Sequence, residues 1–292
     1  MALPMPVDLN TIYPKLINLL LDTVFVVDEH GTIVYVSDAC EELLGYAARE
    51  MIGTTIFDYV LPEDLDATLE EAASVTGGKR QMNFENRYRH RDGRAVHILW
   101  SASRYEQDRL RIGLARDITT LKQAEQHLRF LAHHDPLTGL TNRSLFADRL
   151  ETALRATDRH NTGLALLFLD LDDFKPVNDQ FGHEMGDQLL VQVARRLEQC
   201  TRDSDTVARM GGDEFTVLLT DIDNRVSLAI AVDKIRATLA EPFKLGDRSV
   251  FLSCSIGTAF YPEDGRTASA LLSCADGRMY DHKRRQRAST AL

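Results

Sequence analysis

A pair of glycines between two apolar runs most restricts how this chain of 292 residues can fold. Glycine accepts positive φ without a Cβ clash, so Gly211 and Gly212 predict a tight hairpin turn between two strands. Two carboxylates, Asp213 and Glu214, follow directly at the tip. Adjacent carboxylates offer hard oxygen ligands that suit Mg²⁺ and the phosphates that accompany it. The run on its own predicts an ordinary solvated hairpin as readily as a functional site.

Composition restricts the class of protein and its compartment. The length predicts about two domains, each large enough to bury its own core. The chain carries 34 basic and 44 acidic residues, and the net charge of −10 argues against a nucleic-acid-binding protein. No apolar run approaches the roughly 20 residues of a membrane-spanning helix, and the N-terminus lacks a signal-peptide pattern. Four cysteines without a CxxC pair favour reduced thiols, so we expect a cytoplasmic protein with no membrane span and no nucleic-acid partner.

The first third of the chain alternates short apolar strands with turn signals. The dipeptide Asp92-Gly93 between two such strands is a strong hairpin signal. Ser37 and Asp38 are expected to cap a short helix that ends at Gly45. The pattern predicts an antiparallel sheet of five strands, at residues 23–28, 32–37, 84–90, 95–104 and 110–115.

Several motifs in this region occur together in one order. They are the hairpin from Asp28 to Gly31, Leu43-Leu44-Gly45-Tyr46, Met51-Ile52-Gly53, Arg91-Asp92-Gly93 and Asp117-Ile118-Thr119. With these motifs, residues 10–118 resemble a PAS sensor domain, whose ligand is unknown. The resemblance disfavours haem, because none of the nine histidines lies between Tyr46 and Gln81, and it disfavours a covalent flavin, because Cys40 lies outside the flavin-adduct motif. A PAS domain without ligand, used only for dimerisation, is the alternative.

A segment without glycine or proline follows at residues 119–133. Leu121, Ala124, Leu128 and Leu131 recur at alternating spacings of three and four residues, which is the seam of a coiled coil. We interpret the segment as a parallel two-helix linker, so that the PAS domain and this helix join two copies of the chain into a homodimer. A single amphipathic helix packed on its own domain is the alternative.

The remainder of the chain alternates helices and strands in an α+β layout. Helices are expected at residues 143–157, 185–200, 227–239 and 268–283, and strands at 164–169, 249–256 and 258–260. Four carboxylates follow the apolar run at 164–169 within ten residues: Asp170, Asp172, Asp173 and Asp179. They cannot all be buried without partners. This segment and the Gly211-Gly212 hairpin therefore predict a two-part cation site.

The motifs of this second half also occur together in one order. They are His134-Asp135-Pro136-Leu137-Thr138-Gly139-Leu140-Thr141-Asn142-Arg143, Asp170-Leu171-Asp172-Asp173-Phe174-Lys175, Asn178-Asp179, Gly182-His183, Gly186-Asp187 and Gly211-Gly212-Asp213-Glu214-Phe215. With them, residues 134–290 resemble the GGDEF family of diguanylate cyclases. The resemblance implies a nucleotidyl-cyclase domain of the palm-type, ferredoxin-like fold. It also implies that two GTP molecules are joined into cyclic di-GMP with release of two pyrophosphates.

The resemblance further implies roles for individual residues. Asp170 and Asp213 would hold Mg²⁺ or Mn²⁺ together with the Leu171 carbonyl. Asp213 and Glu214 are the candidate catalytic residues, since either matches a position proposed to deprotonate the attacking 3′-hydroxyl. The candidate substrate-binding residues, which read guanine or neutralise the triphosphate, are Asn178, His183, Asp187, Asp173, Phe174, Lys283 and Arg287. Asp187 favours GTP over ATP, because a carboxylate suits the N1–H and exocyclic amine of guanine.

Arg202 and Asp205 lie upstream of Gly211 at the offset of the family's inhibitory RxxD site. This position implies feedback binding of cyclic di-GMP, although the pair also matches an ordinary surface salt bridge. Two alternative functions are a catalytically inactive receptor for cyclic di-GMP and a PAS ligand sensor that acts through protein partners. The intact pair of Asp213 and Glu214 favours the cyclase.

Overall fold

The computed structural model describes residues 22–105, 109–160, 162–246 and 248–290 of the chain. The side chains of residue 160 and of residues 287–290 are not among those described. The chain divides into two compact units, Met1–Gln126 and His127–Leu292. Within the described ranges, no helix is long and apolar enough to cross a membrane.

The first unit is built on an antiparallel sheet of five strands in the order β2-β1-β5-β4-β3. The strands are β1 (Thr23–Val27), β2 (Ile33–Val36), β3 (Gln81–Arg89), β4 (Ala95–Tyr105) and β5 (Leu110–Asp117). Alternate residues of a strand point to one face of the sheet, and in β4 the buried ones are Val96, Ile98 and Trp100. The predicted five-stranded antiparallel sheet is confirmed.

Short helices contribute to the same hydrophobic core as this sheet. They are α1 (Cys40–Leu44), α2 (Ala48–Met51) and α3 (Leu65–Thr76), with 3₁₀ turns at Ile56–Tyr59 and Pro62–Asp64. Gly45 ends α1 in the left-handed conformation, with φ 79°, as predicted. The predicted side-chain cap by Ser37 or Asp38 is wrong, because no side chain caps α1. The Ser37 hydroxyl instead accepts the Val24 N–H at 3.0 Å, which binds the chain entering the helix to β1.

Helix α4 (Thr119–His133) contains residues of both units. None of its residues is buried, and the side chains of Leu121 and Leu128 in the predicted seam are 65% and 67% exposed. The described part of the chain therefore leaves this apolar seam uncovered.

The second unit contains a four-stranded antiparallel sheet in the order β11-β6-β8-β7. The strands are β6 (Leu164–Leu171), β7 (Thr206–Gly211), β8 (Glu214–Thr220) and β11 (Cys254–Tyr261). Helix α7 (His183–Cys200) follows β6 and helix α8 (Arg225–Ala240) follows β8, which gives the βαββαβ order of a ferredoxin-like fold. Two further helices are α5 (Arg143–His160) and α9 (Ala268–Thr290). The predicted α+β fold is confirmed.

Strand β6 is buried along its whole length. Ala165, Leu167 and Leu169 join a core that contains residues of α7 and α8. Leu164, Leu166 and Phe168 join a second core with residues of α5 and α9. Because successive side chains of a strand point to opposite faces, helices cover both faces of the sheet at β6. Polar side chains of β6 can therefore reach solvent only at the ends of the strand.

Three elements differ from the sequence prediction. Helix α6 (Phe174–Phe181) was not expected, and its Pro176 lies in the first turn, where a missing N–H is tolerated. The single strand predicted at 249–256 is wrong: β10 (Arg248–Val250) pairs with β9 (Phe243–Leu245), and β11 begins only at Cys254. The final helix continues beyond residue 283 to Thr290.

Candidate active site

The register of the second sheet brings carboxylates from two strands together. Asp170, the next-to-last residue of β6, is paired with Glu214, the first residue of β8. Paired residues of antiparallel strands have Cβ atoms about 4.5–5.5 Å apart. Asp213 in the turn before β8 is close enough for its charge to act on both carboxyls. The predicted metal ligands and catalytic residues therefore lie in one cluster at the end of β6.

Lys283 of α9 supplies a positive charge to this cluster. Its Nζ lies 2.5 Å from Asp170 Oδ1, and only 10% of the Asp170 side chain is exposed. Burial raises the pKa of the Asp170 carboxyl, and the charges of Asp213 and Asp172 add to the rise. The hydrogen bond from Lys283 opposes these effects without cancelling them, so the pKa of Asp170 stays above its ordinary value.

The pKa of the Glu214 carboxyl is also raised. Burial is the largest cause, followed by the negative charges of Asp170, Asp213 and Asp276, and Arg143 acts in the opposite direction. A carboxyl with a raised pKa is a stronger base when ionised, which suits proton transfer near neutral pH. Burial and the neighbouring carboxylates thus act together on the pKa of Glu214.

The hairpin between β7 and β8 has the glycine geometry that its sequence predicts. Gly211 has φ 147° and Gly212 has φ 53°, and side-chain-bearing residues rarely adopt either value. The Leu171 N–H donates to the Asp213 carbonyl at 3.3 Å. This bond ties the tip of the hairpin to the end of β6, so the two halves of the predicted cation site are held together by backbone.

Arg209 holds the hairpin through hydrogen bonds to the turn and to Asp135. The sequence motifs do not indicate this role of Arg209. Its Nε and Nη2 donate to the Gly212 carbonyl at 3.0 and 2.8 Å, and its Nη1 donates to both oxygens of Asp135 at 3.0 and 3.1 Å. Burial acts to raise the pKa of Asp135, but hydrogen bonds from Thr138 and Arg209 outweigh it and the pKa is lowered. An ionised Asp135 therefore anchors Arg209, which anchors the turn.

Asp172 is a second positioned carboxylate outside the predicted site set. It accepts hydrogen bonds from the hydroxyls of Ser253 and Ser255, each at 2.7 Å, and its N–H donates to the Ser253 carbonyl at 3.0 Å. The segment after β6 is thereby fastened to β11. No short motif marks this contact, because the serines lie more than 80 residues from Asp172.

Asn178 on α6 has a polar atom that no described group satisfies. Its Oδ1 is buried without a hydrogen-bond partner. Gly186 on α7 makes room for the amide, since a Cβ at this glycine would lie 1.8 Å from Asn178 Oδ1. A buried amide oxygen without a partner costs about 1–3 kcal/mol, so a hydrogen-bond donor that reached it would stabilise this part of the structure.

Four other predicted nucleotide contacts lie on α6 and α7 or directly before them. His183 and Asp187 are exposed and lie four residues apart on α7, on one face of the helix. Asp173 precedes α6 in the left-handed conformation, with φ 57°, and Phe174 begins the helix. The N–H groups at a helix start favour phosphate. The α6–α7 segment therefore places the residues predicted to read guanine next to a helix start, where N–H groups are free of helical partners.

The donor set at the strand ends fits a small hard cation. Asp170 and Asp213 offer carboxylate oxygens, and a cation would offset the charge of Asp213, which adds to the rise that burial causes in the pKa of Asp170. Among the described residues, no group of three or more acidic, histidine or cysteine side chains is arranged to hold a metal by itself. Mg²⁺ usually binds through one or two protein carboxylates together with water and substrate phosphates. The residues present match that pattern.

A concavity of about 280 Å³, apart from the strand-end cluster, is lined by the predicted inhibitory residues Arg202 and Asp205. The Asp205 carboxylate accepts the N–H groups of Arg202 and Thr220 at 2.9 and 3.2 Å. Within the described residues, the Arg202 and Asp205 side chains form no salt bridge with each other, so the surface-pair interpretation is wrong. Arg149 also lines this concavity, a contribution that its sequence position does not indicate.

The structure separates the predicted site residues into three groups. Asp170, Leu171, Asp213, Glu214 and Lys283 meet at the strand ends, and Lys283 contacts Asp170 there. The α6–α7 residues form the second group, and Arg202 with Asp205 forms the third. The Arg287 side chain lies outside the described residues.

Comparisons with known proteins agree with this arrangement. Residues 132–289 match the family model described as "Diguanylate cyclase, GGDEF domain", and residues 11–118 match the PAS fold. The diguanylate cyclase TpbB of Pseudomonas aeruginosa is 45% identical over 173 residues, which cover 59% of this chain and 40% of TpbB. The cyclic di-GMP phosphodiesterase PdeR of Escherichia coli is 31% identical over 276 residues, or 89% of this chain and 40% of PdeR. The chain thus spans less than half the length of these curated relatives.

A solved structure gives the same result for the second unit. The crystal structure of the GGDEF domain of TpbB superimposes with a TM-score of 0.50 and 45% identity, covering 51% of this chain and 92% of that domain. The family match includes more than half of the chain and contains the strand-end carboxylates, the hairpin and the α6–α7 surface. The chain belongs to the GGDEF family, with a PAS fold before the GGDEF domain.

Proposed function

We propose that this protein is a diguanylate cyclase that condenses two GTP molecules into cyclic di-GMP and releases two pyrophosphates. The observation that carries the proposal is the pairing of Asp170 with Glu214 at the strand ends, beside Asp213 in a hairpin tip of two glycines. The family match and the name of TpbB support the same activity. A receptor that had lost catalysis would not need this costly concentration of carboxylates.

The residues suit the division of labour that the reaction requires. Asp170 and Asp213, with the Leu171 carbonyl, would hold Mg²⁺ or Mn²⁺, which when bound polarises the α-phosphate and activates the attacking 3′-hydroxyl. Glu214, with its raised pKa, accepts the proton of that hydroxyl. The Asn178 amide oxygen and the Asp187 carboxylate accept hydrogen bonds from guanine, with His183 beside them. The start of α6 at Asp173 and Phe174 and the charges of Lys283 and Arg287 neutralise the triphosphate.

The reaction needs two copies of the GGDEF domain facing each other, because each GTP attacks the other. We propose that α4 forms a parallel pair through Leu121, Ala124, Leu128 and Leu131, and that the PAS domain controls how the catalytic domains meet. Leu128→Glu should convert a dimer into a monomer in sedimentation and reduce product formation about hundred-fold. A dimer that survives this charge in the seam would contradict the linker proposal.

The activity is tested by incubating the purified protein with GTP and Mg²⁺ and measuring cyclic di-GMP by chromatography. Glu214→Gln should lower kcat by about 10²–10⁴-fold, the range for loss of an acid–base residue. Asp223→Asn, at an exposed carboxylate outside the site, serves as the matched control. Unchanged turnover in Glu214→Gln would contradict the assignment, and so would hydrolysis of cyclic di-GMP without synthesis.

We further propose that the Arg202–Asp205 concavity binds cyclic di-GMP as a feedback inhibitor. Its support is the guanidinium groups of Arg202 and Arg149 beside a carboxylate that backbone N–H groups hold in place. Arg202→Ala should keep the initial rate but remove the slowing that accompanies product accumulation. Arg195→Ala, at an exposed arginine of α7 outside this concavity, is the control. Equal slowing in both variants would contradict the feedback site.

A further inference from the structure

Both carboxylate oxygens of Asp172 are engaged by serine hydroxyls. Ser255 donates to Oδ1 and Ser253 donates to Oδ2, each at 2.7 Å. The Asp172 N–H adds a third bond, to the Ser253 carbonyl at 3.0 Å. The backbone and the side chain of Asp172 are therefore both fixed, and its carboxylate is occupied although it lies only two positions after Asp170.

Ser255 lies at the centre of these contacts. It is fully buried, and it is paired with Asp170 in the register of β11 and β6. Its hydroxyl also lies 3.5 Å from Gln286 Oε1 on α9, the helix that carries Lys283. A hydrogen bond to a carboxylate is strong where water is excluded. The Ser255 hydroxyl therefore ties the segment after β6 firmly to β11, at the place where α9 also meets that strand.

Asp172 lies between two backbone groups of the proposed nucleotide site. The Leu171 carbonyl precedes it, and the N–H groups of Asp173 and Phe174 follow it at the start of α6. Asp173 has φ 57°, which residues with a side chain seldom adopt, and its side chain forms no capping hydrogen bond to α6. A capping side chain commonly fixes a helix start. Here the bonds of Asp172, one residue earlier, take that part.

We propose that Asp172, Ser253 and Ser255 form a clamp that positions the backbone for the triphosphate of the bound nucleotide. The clamp touches no substrate atom. It holds the chain from Leu171 to Phe174 in the conformation that presents N–H groups to phosphate. This positioning role rests on the nucleotide site proposed above, and it differs from metal binding because both oxygens of Asp172 are engaged by hydroxyls.

The test measures nucleotide binding without turnover. 3′-Deoxy-GTP with Mg²⁺ carries the full triphosphate but lacks the attacking hydroxyl, and it is titrated into the full chain by calorimetry. Ser253→Ala and Ser255→Ala should each weaken its binding by about ten-fold, the effect of losing one hydrogen bond to a charged group. If Ser255→Ala fails to fold, Ser253→Ala provides the same measurement at an exposed position.

A double-mutant cycle separates the clamp from a general loosening of the domain. Once Asp172→Ala has removed the acceptor, adding Ser255→Ala should cause little further loss of affinity, because residues of one hydrogen-bond network act together. Ser255→Ala and Asp187→Asn should instead multiply their separate fold-losses, since Asp187 lies on α7 and is not a member of the clamp.

A conservative variant and a control complete the test. Ser253→Thr keeps the hydroxyl and should bind 3′-deoxy-GTP within about two-fold of the unaltered protein, as should Ser249→Ala at an exposed position of β10. Unchanged affinity in Ser253→Ala would overturn the positioning role, and so would separate, multiplying losses from Asp172→Ala and Ser255→Ala.

The same titration distinguishes this role from the proposed activity. Absence of 3′-deoxy-GTP binding by the unaltered protein would contradict the nucleotide site and the clamp together. Binding by the unaltered protein without synthesis of cyclic di-GMP from GTP would contradict only the cyclase proposal, and the variants would still decide for or against the clamp.

Discussion

The two sheets of this protein accommodate buried charge in different ways. In the second unit, helices cover both faces of β6, and its one carboxylate, Asp170, lies at the strand end beside Lys283. In the first unit, Arg111 is the second residue of β5, and within the described residues it donates its hydrogen bonds to backbone carbonyls rather than to a carboxylate. A strand covered on both faces leaves polar chemistry only at its ends, where several elements can meet. Arg111 also lies next to a strand end, so the two units differ in what satisfies the charge, which is an ion pair for Asp170 and backbone carbonyls for Arg111.

This difference determines what kind of ligand each unit could bind. At the strand ends, a multiply charged nucleotide can approach from solvent and bring its own counter-ions. Inside the first unit, a ligand must match each buried polar group, because water cannot make up for a missing partner there.

The largest expected effect concerns Asp264, which joins β11 to two helices. Its carboxylate accepts two hydrogen bonds from Arg278 of α9 at 2.8 Å, one from Arg225 of α8 at 3.1 Å and one from the Phe260 N–H at 2.8 Å. The Arg278 hydrogen bonds hold the pKa of Asp264 well below its usual value. Only 8% of its side chain is exposed. Asp264→Ala should therefore lower the free energy of unfolding by about 3 kcal/mol in urea titrations followed by circular dichroism, because it leaves both arginines without their shared partner.

Asp223→Ala provides the control for this measurement, since Asp223 is exposed and precedes α8. Its substitution should change the free energy of unfolding by no more than about 0.5 kcal/mol. If both variants lost the same small amount of unfolding free energy, the charges around Asp264 would contribute no more than an ordinary surface salt bridge. The stability of the second unit would then not depend on this network.

The next effect concerns Arg209, which positions the hairpin without belonging to the proposed chemistry. Arg209→Gln removes the bonds to the Gly212 carbonyl and to Asp135, so the turn that carries Asp213 loses its anchor. Product formation should fall about hundred-fold in kcat, while KM for GTP changes only a few-fold, because misplacement of about 1 Å suffices for such a loss. Arg195→Gln at an exposed position should leave both constants unchanged. A rise in KM alone would instead make Arg209 a nucleotide contact.

The sequence was sufficient to predict candidate site residues that directly follow an apolar run or a glycine turn. The apolar run of β6 gives way to Asp170 near the end of that strand. The glycine pair likewise lies where β7 ends. In both places the change of residue type predicts the end of a strand. Strand β6 is predicted for the same reason, because its continuous apolar run ends in polar residues. The same patterns missed α6, whose early Pro176 resembles a break rather than a first helical turn.

Contacts between distant segments could not be predicted in this way. Arg209 and Asp135 are 74 residues apart, and Arg111 and Ala72 are 39 apart. A lone arginine in a strand has the same local pattern whether it faces water or a cavity. The wrong cap assigned to Ser37 has a similar cause, since its hydroxyl is engaged by Val24 across the sheet edge rather than by its own helix.

A smaller effect is expected for Asp64 in the first unit, the counterpart of Asp264. Arg87 donates to it from Nε at 2.9 Å, from Nη2 at 2.6 Å and from its own N–H at 2.7 Å, and the Arg87 side-chain bonds are the main reason that the pKa of Asp64 is lowered. The Arg87 side chain is 38% exposed, so solvent weakens the pair. Asp64→Asn should reduce stability by about 1–2 kcal/mol at pH 7, measured by Trp100 fluorescence in urea.

The pH dependence of this effect has a definite sign. A carboxyl whose pKa is lowered on folding contributes stability that is present above its unfolded pKa, near 3.8, and is lost as the pH falls through the folded pKa. The difference between the protein and Asp64→Asn should therefore shrink below pH 3.8. A constant difference from pH 7 to pH 3 would assign the loss to shape rather than to charge.

The smallest effect is expected at the catalytic cluster itself, and its sign is opposite. Because burial and three neighbouring carboxylates raise the pKa of Glu214 above 4.5, the ionised form is less favourable in the folded protein than in the unfolded chain. The protein should lose stability as the pH rises from 4.5 through the folded pKa, whereas Glu214→Gln should not incur this loss. The measurement is made without divalent metal and nucleotide. At pH 8, Glu214→Gln should unfold at a higher temperature than the unaltered protein, and at pH 4 the two should unfold at similar temperatures. The control Glu241→Gln, at an exposed position, should show no such difference. A Glu214→Gln variant that is less stable at pH 8 would contradict this prediction. Glu214 would then stabilise the fold instead of lowering its stability.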